Sequence, residues 1–200
     1  MFTAQALPAF SQANKVVVMA ADYTPTIDTP RNAYALTDVG LLLLRVAVGA
    51  TMIQAGLIKA LNFGAAVAFM ESGGWRMPTF AAALVTATET AGGVLLLLGL
   101  LTPLAAAGVL AAMIDAWLVN VSAAAFWSDP FNVPFLTAFA ATTLLFAGAG
   151  AYSLDAKLFG RHRWPGVISV GLLIIGVAAA VATWILLDGT NPLHLTGPKG

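Results

Sequence analysis

Long apolar runs constrain the fold of this chain more than any other feature of its sequence. Five such runs cover residues 39–61, 78–101, 104–127, 134–149 and 165–187. A helix that crosses the hydrocarbon core of a bilayer needs about 20 apolar residues. Charged residues make up 9% of the chain, whereas soluble domains carry roughly 25%. The sequence therefore predicts an all-α membrane protein with five transmembrane helices.

The rest of the composition excludes several kinds of cofactor and metal site. The absence of cysteine excludes disulfides, iron–sulfur clusters and cysteine-ligated zinc. His162 and His194 both lie outside the apolar runs, so the sequence offers no paired haem ligands inside the bilayer and no metal site. Formal charge is zero, which gives no indication of nucleic-acid binding. We expect no cofactor bound covalently or through a metal ligand.

The segments between the runs predict a membrane-surface N-terminus and one interfacial helix. Residues 1–37 contain no run long enough to span. In the 62–77 linker, apolar residues recur at helical spacing before Gly73 and Gly74, which predicts a short amphipathic helix at the interface. Lysine and arginine are more frequent in the 152–163 loop than in the 62–77 linker, so the positive-inside rule places the N-terminus in the cytoplasm and the C-terminus outside.

Three ionisable residues stand inside the apolar runs, and they are the main functional signal. Arg45, Glu89 and Asp115 lie in the first, second and third runs. A charge at the centre of a membrane helix costs at least about 2.5 kcal/mol, so each needs a partner. Lys59 falls on the same helical face as Arg45. We expect these four residues to form a buried polar site for a proton or a quinone head group, or, alternatively, ion pairs that only fix helix register.

Small residues and one amide complete the pattern. Gly49, Gly56, Gly92, Gly93 and Gly99 predict close helix packing. Gln54 lies on the side of the first helix opposite Arg45, which indicates either that a partner subunit contacts that side or that a second cavity lies there.

Three motifs then point to a known family. They are Leu44-Arg45-x3-Gly49-x6-Gly56-x2-Lys59, Glu89-x2-Gly92-Gly93-x5-Gly99-x2-Thr102 and Gly148-x-Gly150-x-Tyr152-Ser153-Leu154-Asp155. Taken in this order, they resemble the DoxX family of small bacterial membrane proteins. The resemblance implies a four-helix core over residues 38–156, with Arg45, Lys59 and Glu89 as family-pattern positions. Residues 1–37 and 157–200 lie outside that core, and the fifth helix then looks like an added docking or anchoring element.

The resemblance also carries functional expectations. Relatives of the DoxD type are associated with thiosulfate:quinone oxidoreductase, and actinobacterial members are linked to a membrane complex with superoxide dismutase and a sulfurtransferase. We therefore expect a subunit of a redox-linked complex in a bacterial plasma membrane, with lipid and other protein subunits as partners. Whether the chain is itself an enzyme stays open, and no residue is assigned as catalytic. The alternatives are a non-catalytic assembly subunit of a larger machine, such as a respiratory complex or lipid transporter, and a small-molecule or proton pathway.

Overall fold

The structure, a computed structural model, describes residues 31–121 and 129–188. The chain divides into two units, Met1–Tyr34 and Ala35–Gly200, and the first is described only where it begins the first helix. Of the predicted N-terminal surface segment, residues 1–30 lie outside the described residues, and residues 31–37 form the start of the first helix instead of a surface segment. The end of the third run, residues 122–127, and the C-terminal tail with His194 also lie outside the described residues.

Within the described residues the chain is helical. The helices are α1 (Arg31–Leu61), α2 (Phe63–Ser72), α3 (Pro78–Leu98), α4 (Thr102–Asn120), α5 (Val133–Ala147), α6 (Leu154–Phe159) and α7 (Gly166–Thr183). One π-helical turn, Trp184–Asp188, continues α7. Proline opens α3, α4 and α5 at the first turn, where its missing N–H would have had no helical partner.

Four segments are long and apolar enough to cross a membrane. They are Ala35–Leu61, Pro78–Leu98, Thr102–Asn120 and Gly166–Leu187. The fourth predicted run forms α5, which has 15 residues and, at 1.5 Å per residue, is about 22 Å long. The described residues thus contain four candidate spans and two shorter apolar helices, α2 and α5, which is fewer full-length spans than the five predicted.

Helix α4 lies at the centre of the bundle, because α3, α5 and α7 all pack against it. Alanine and glycine make up much of its first half, and Ala105, Ala106 and Ala107 are buried. Such small side chains let neighbouring helix backbones approach closely where lipid offers no hydrophobic driving force. The main core joins Ala105 and Ala106 to Met52 of α1 and Leu144 of α5.

A second core closes the opposite end of the bundle from α6. It contains Met70, Trp75, Ala82, Trp184 and Leu187. The Trp75 and Trp184 rings meet edge to face with centroids 5.5 Å apart, and the Arg76 amide donates to the Leu187 carbonyl. The predicted interfacial helix α2 is present, and these contacts connect its C-terminal loop to the end of α7.

Candidate functional site

A cavity of about 540 Å³ lies among α1, α2, α3, α4 and α7. Its walls are mostly apolar and include Phe69, Met70 and Trp75. The polar side chains that line it are Lys59, Asn62, Thr88, Glu89, Asp115, Asn120 and Thr183. An apolar cavity with a few convergent polar groups is the usual form of a small-molecule site.

Lys59 and Glu89 form an ion pair in the wall of this cavity. The Lys59 Nζ lies 2.6 Å from Glu89 Oε2, and it also approaches the Ala55 carbonyl at 3.5 Å. The Glu89 side chain is 3% exposed and that of Lys59 is 30% exposed. Lys59 stands two residues before the end of α1 and extends towards the middle of α3, so its long apolar stem lies along the protein while its charge neutralises Glu89.

Asp115 contributes a carboxyl group without a protein partner. Its Oδ1 is buried and has no hydrogen-bond partner in the described part of the chain. Helix α4 ends at Asn120, where Val121 is extended, although the third run predicts helix to residue 127. Asp115 therefore lies about 8 Å along the axis from the end of α4.

Arg45 lies elsewhere in the bundle. It is fully buried and its Nη2 donates to the Tyr152 carbonyl oxygen. Along α1 it is 14 residues from Lys59, which corresponds to about 21 Å. The structure thus brings Lys59, Glu89 and Asp115 to one cavity and does not bring Arg45 there. The position of a residue in an apolar run indicates how deep in the membrane it lies, but it does not indicate which residue it contacts.

A second buried polar cluster surrounds Arg45 at the α6 end of the bundle. Asp155 is fully buried and accepts hydrogen bonds from the amides of Leu101 at 2.7 Å and Thr102 at 2.9 Å and from Trp164 Nε1 at 3.2 Å. It therefore caps α4 from a distant part of the chain, where Leu101 has a left-handed backbone and supplies no side-chain cap. The third sequence motif includes Asp155, but the motif does not indicate this capping role.

Gly99 explains how Arg45 fits against this cluster. Its φ of 63° is left-handed, which ends α3, and a Cβ there would overlap the Arg45 guanidinium. The sequence predicts close helix packing at Gly99. In the structure Gly99 ends α3, and its lack of a Cβ leaves space for the buried Arg45 side chain.

The other predicted glycines lie where helices cross. A Cβ on Gly49 would lie 2.8 Å from the Gly93 carbonyl oxygen, and one on Gly56 would lie 2.7 Å from the Thr90 amide nitrogen, so α1 and α3 are in backbone contact. Gly92 faces Val109 of α4. This close crossing positions Lys59 beside Glu89.

The C-terminal helix α7 is part of the bundle. Ala179 and Thr183 line the cavity, and a Cβ on Gly176 would lie 2.9 Å from the Ala107 carbonyl oxygen of α4. Ser169 Oγ donates to the Leu145 carbonyl at 2.7 Å. Helix α7 therefore packs on α4 and forms a cavity wall, and its role as an added docking or anchoring element stays a prediction.

Two other predicted residues lie on the surface. Gln54 is exposed on α1, and His162 is exposed in the loop before α7, where its carbonyl accepts from the Gly150 amide. Among residues 31–121 and 129–188, no cluster of His, Asp and Glu has the form of a metal site.

Comparison with known families agrees with the first two motifs, whereas the motif that begins at Gly148 lies outside the matched residues. Residues 40–123 match the model of the DoxX family. The chain contains a DoxX domain. The match covers α1 to α4, so the DoxX domain supplies Lys59, Glu89 and Asp115, and α7 adds the last wall of the cavity. No curated protein and no solved structure shows significant similarity to the chain.

Proposed function

We propose that this DoxX protein is a membrane subunit whose cavity holds the polar head of a lipid-soluble molecule, with a quinone as the candidate ligand. The observation that carries the proposal is the meeting of Lys59, Glu89 and Asp115 in an apolar cavity of about 540 Å³. Polar groups that converge inside a membrane bundle are functional by default.

The chemistry of the lining fits a quinone head. Quinone carbonyl oxygens accept hydrogen bonds, and the Lys59 ammonium has three donors, of which Glu89 takes one. Two carboxyl groups nearby supply proton acceptors and donors for reduction of the ring. Because the described residues offer no redox centre of their own, the electrons would come from a partner subunit, which makes the chain part of a redox-linked complex.

Quinone binding to the purified chain tests the site. Short-chain ubiquinone and menaquinone analogues are titrated into the protein in lipid nanodiscs. We expect saturable binding that Glu89→Gln weakens at least about tenfold, which corresponds to about 1.4 kcal/mol. Glu71→Gln is the matched control, because Glu71 is exposed on α2 and does not line the cavity. Equal affinity in both variants, or no saturable binding, would contradict the proposal.

Complex membership is tested in native membranes. We expect a redox protein to co-purify in fixed stoichiometry, with quinone-dependent turnover that falls in Glu89→Gln. Isolation of the chain without any redox partner under mild extraction would remove this part of the proposal.

The charge distribution supports a cytoplasmic N-terminus in a bacterial plasma membrane. Lys157, Arg161 and Arg163 are exposed at the α6 end, whereas Lys59 at the other end is paired with Glu89 inside the bundle. Positive charge on loops is therefore concentrated at the α6 end, and the positive-inside rule places that end in the cytoplasm. Because α5 connects the two ends, we propose five crossings, with the cavity nearer the outer face.

An assembly role is the second candidate, and Gln54 favours it. Its amide is exposed on the lipid-facing side of α1, seven residues before the helix ends. An amide without a partner in hydrocarbon is costly, so a neighbouring chain would satisfy it. We expect a cysteine at position 54 to cross-link to a stoichiometric partner in native membranes, while a cysteine at exposed Ile175 of α7 does not. Cross-linking from neither position would argue against a partner on α1.

A further inference from the structure

The charge balance of the cavity leaves one carboxyl group unmatched. Lys59 lies 2.6 Å from Glu89, so its positive charge is already neutralised. Asp115 lines the same cavity, and its buried Oδ1 has no partner among the described residues. A quinone is neutral and would not balance a negative charge on Asp115.

We propose that the cavity binds an amphipathic organic monocation, with the charged group at Asp115 and the apolar part against the cavity wall. The inference rests on the proposed use of the cavity as a ligand site but not on the ligand being a quinone. It adds a second ligand class, selected by charge.

An opposite charge is the strongest partner for a buried carboxylate. Coulombic attraction grows as the dielectric falls, and a buried charge is stable only when it is paired. A neutral hydroxyl ligand would offer a hydrogen bond, but it would not balance the charge. Asp115 is therefore the residue that we expect to discriminate a cation from a neutral or anionic ligand of equal shape.

The walls also suit a cation that carries an apolar body. Trp75 and Phe69 line the cavity, and aromatic faces attract organic cations. Ile58 and Leu84, which also line it, are 56% and 40% exposed and lie on candidate membrane-spanning helices. A cavity bordered by exposed apolar side chains suits a cation with an apolar body.

Two ions of matched shape and opposite charge test the proposal. Tetraphenylphosphonium and tetraphenylborate are titrated into the protein in nanodiscs, with empty nanodiscs as the partition background. We expect saturable binding of tetraphenylphosphonium, an at least tenfold loss in Asp115→Asn, and retention in Asp115→Glu. Asp129→Asn is the matched control, because Asp129 is exposed and lies outside the cavity lining. Tetraphenylborate should not bind above background.

The outcomes separate this inference from the proposed function. Binding of tetraphenylborate as tight as that of tetraphenylphosphonium, or unchanged phosphonium affinity in a folded Asp115→Asn, would overturn the inference. Quinone affinity is measured on the same samples. Quinone binding without phosphonium binding would overturn this inference alone, phosphonium binding without quinone binding would support it and remove the quinone, and failure of both ligands would overturn both proposals.

Discussion

The Lys59 ammonium lies 2.6 Å from the Glu89 carboxylate and so connects the last turn of α1 to the middle of α3. The backbones of α1 and α3 meet at Gly49 and Gly93, and the ion pair lies beyond this crossing, towards the C-terminal end of α1. The same contact therefore serves the packing of the DoxX domain and the polar lining of its cavity.

Removing one member of this pair should destabilise the protein. Lys59→Met leaves the 3% exposed Glu89 without a counter-charge, and we expect the free energy of unfolding to fall by about 1.5–3 kcal/mol. The double variant with Glu89→Gln should lose less than the sum of the single variants, because they share one interaction. The measurement is reversible unfolding in mixed micelles. Strict additivity would show that the pair contributes no coupling.

The helix crossing predicts a contrast between two glycines of α1. Gly49→Ala places a methyl group 2.8 Å from the Gly93 carbonyl oxygen and should cost about 1–3 kcal/mol of unfolding free energy. Gly40→Ala is the control, because nothing lies within 4 Å of a Cβ there. Thermal unfolding followed by circular dichroism compares them, and equal midpoints for both variants would contradict the crossing.

Asp155 should behave as a structural residue. Asp155→Asn weakens the capture of the Leu101 and Thr102 amides, and we expect a loss of about 0.5–2 kcal/mol, the usual range for a helix cap. Ligand binding by the folded fraction should not change, since Asp155 does not line the cavity. Asp129→Asn serves as the exposed control in the same unfolding assay. Wild-type stability in Asp155→Asn would show that α4 is capped by other means.

Asp115 should behave in the opposite way. Because its Oδ1 has no partner among the described residues, Asp115→Asn should leave the unfolding free energy within about 0.5 kcal/mol of the parent chain or raise it. The same micelle unfolding assay measures this. A fall comparable to that of Lys59→Met would indicate that Asp115 supports the fold.

Gly176 of α7 should influence ligand binding although it is not one of the residues that line the cavity. Gly176→Ala pushes α7 away from the Ala107 carbonyl, 2.9 Å from the new methyl group, and we expect ligand affinity to fall by about tenfold, or about 1.4 kcal/mol. Gly171→Ala has open space around its Cβ and is the control. Equal affinities would show that the α7 wall is not required for binding.

Part of this architecture follows from the sequence alone. Hydropathy predicted the long helices, and helical periodicity predicted α2. The 3.6-residue period placed Lys59 on the same face of α1 as Arg45, and the cost of a charge in hydrocarbon predicted that Glu89 and Asp115 would each face a partner. These are local signals, which a single chain carries without knowledge of its neighbours.

The remainder depends on contacts between distant residues. Arg45 meets Tyr152, 107 residues away, and Asp155 caps α4 from 53 residues away, so neither partner is visible in a local pattern. No glycine or proline stands next to Asn120, so the sequence does not predict that α4 ends there. One wall of the cavity is formed by α7, which packs on α4 through Gly176. The sequence around Gly176 does not indicate that it contacts α4.

Photoaffinity labelling is a direct test of quinone binding in the cavity, because it identifies the residues next to the bound ligand. An azido-quinone is photolysed with the protein in nanodiscs, and labelled peptides are mapped. We expect labels on residues that line the cavity, within 58–70 of α1 and α2 and 111–120 of α4, and we expect an excess of unlabelled quinone to suppress them. Labels confined to the outward faces of α5 and α7, or labels that competition leaves unchanged, would contradict it.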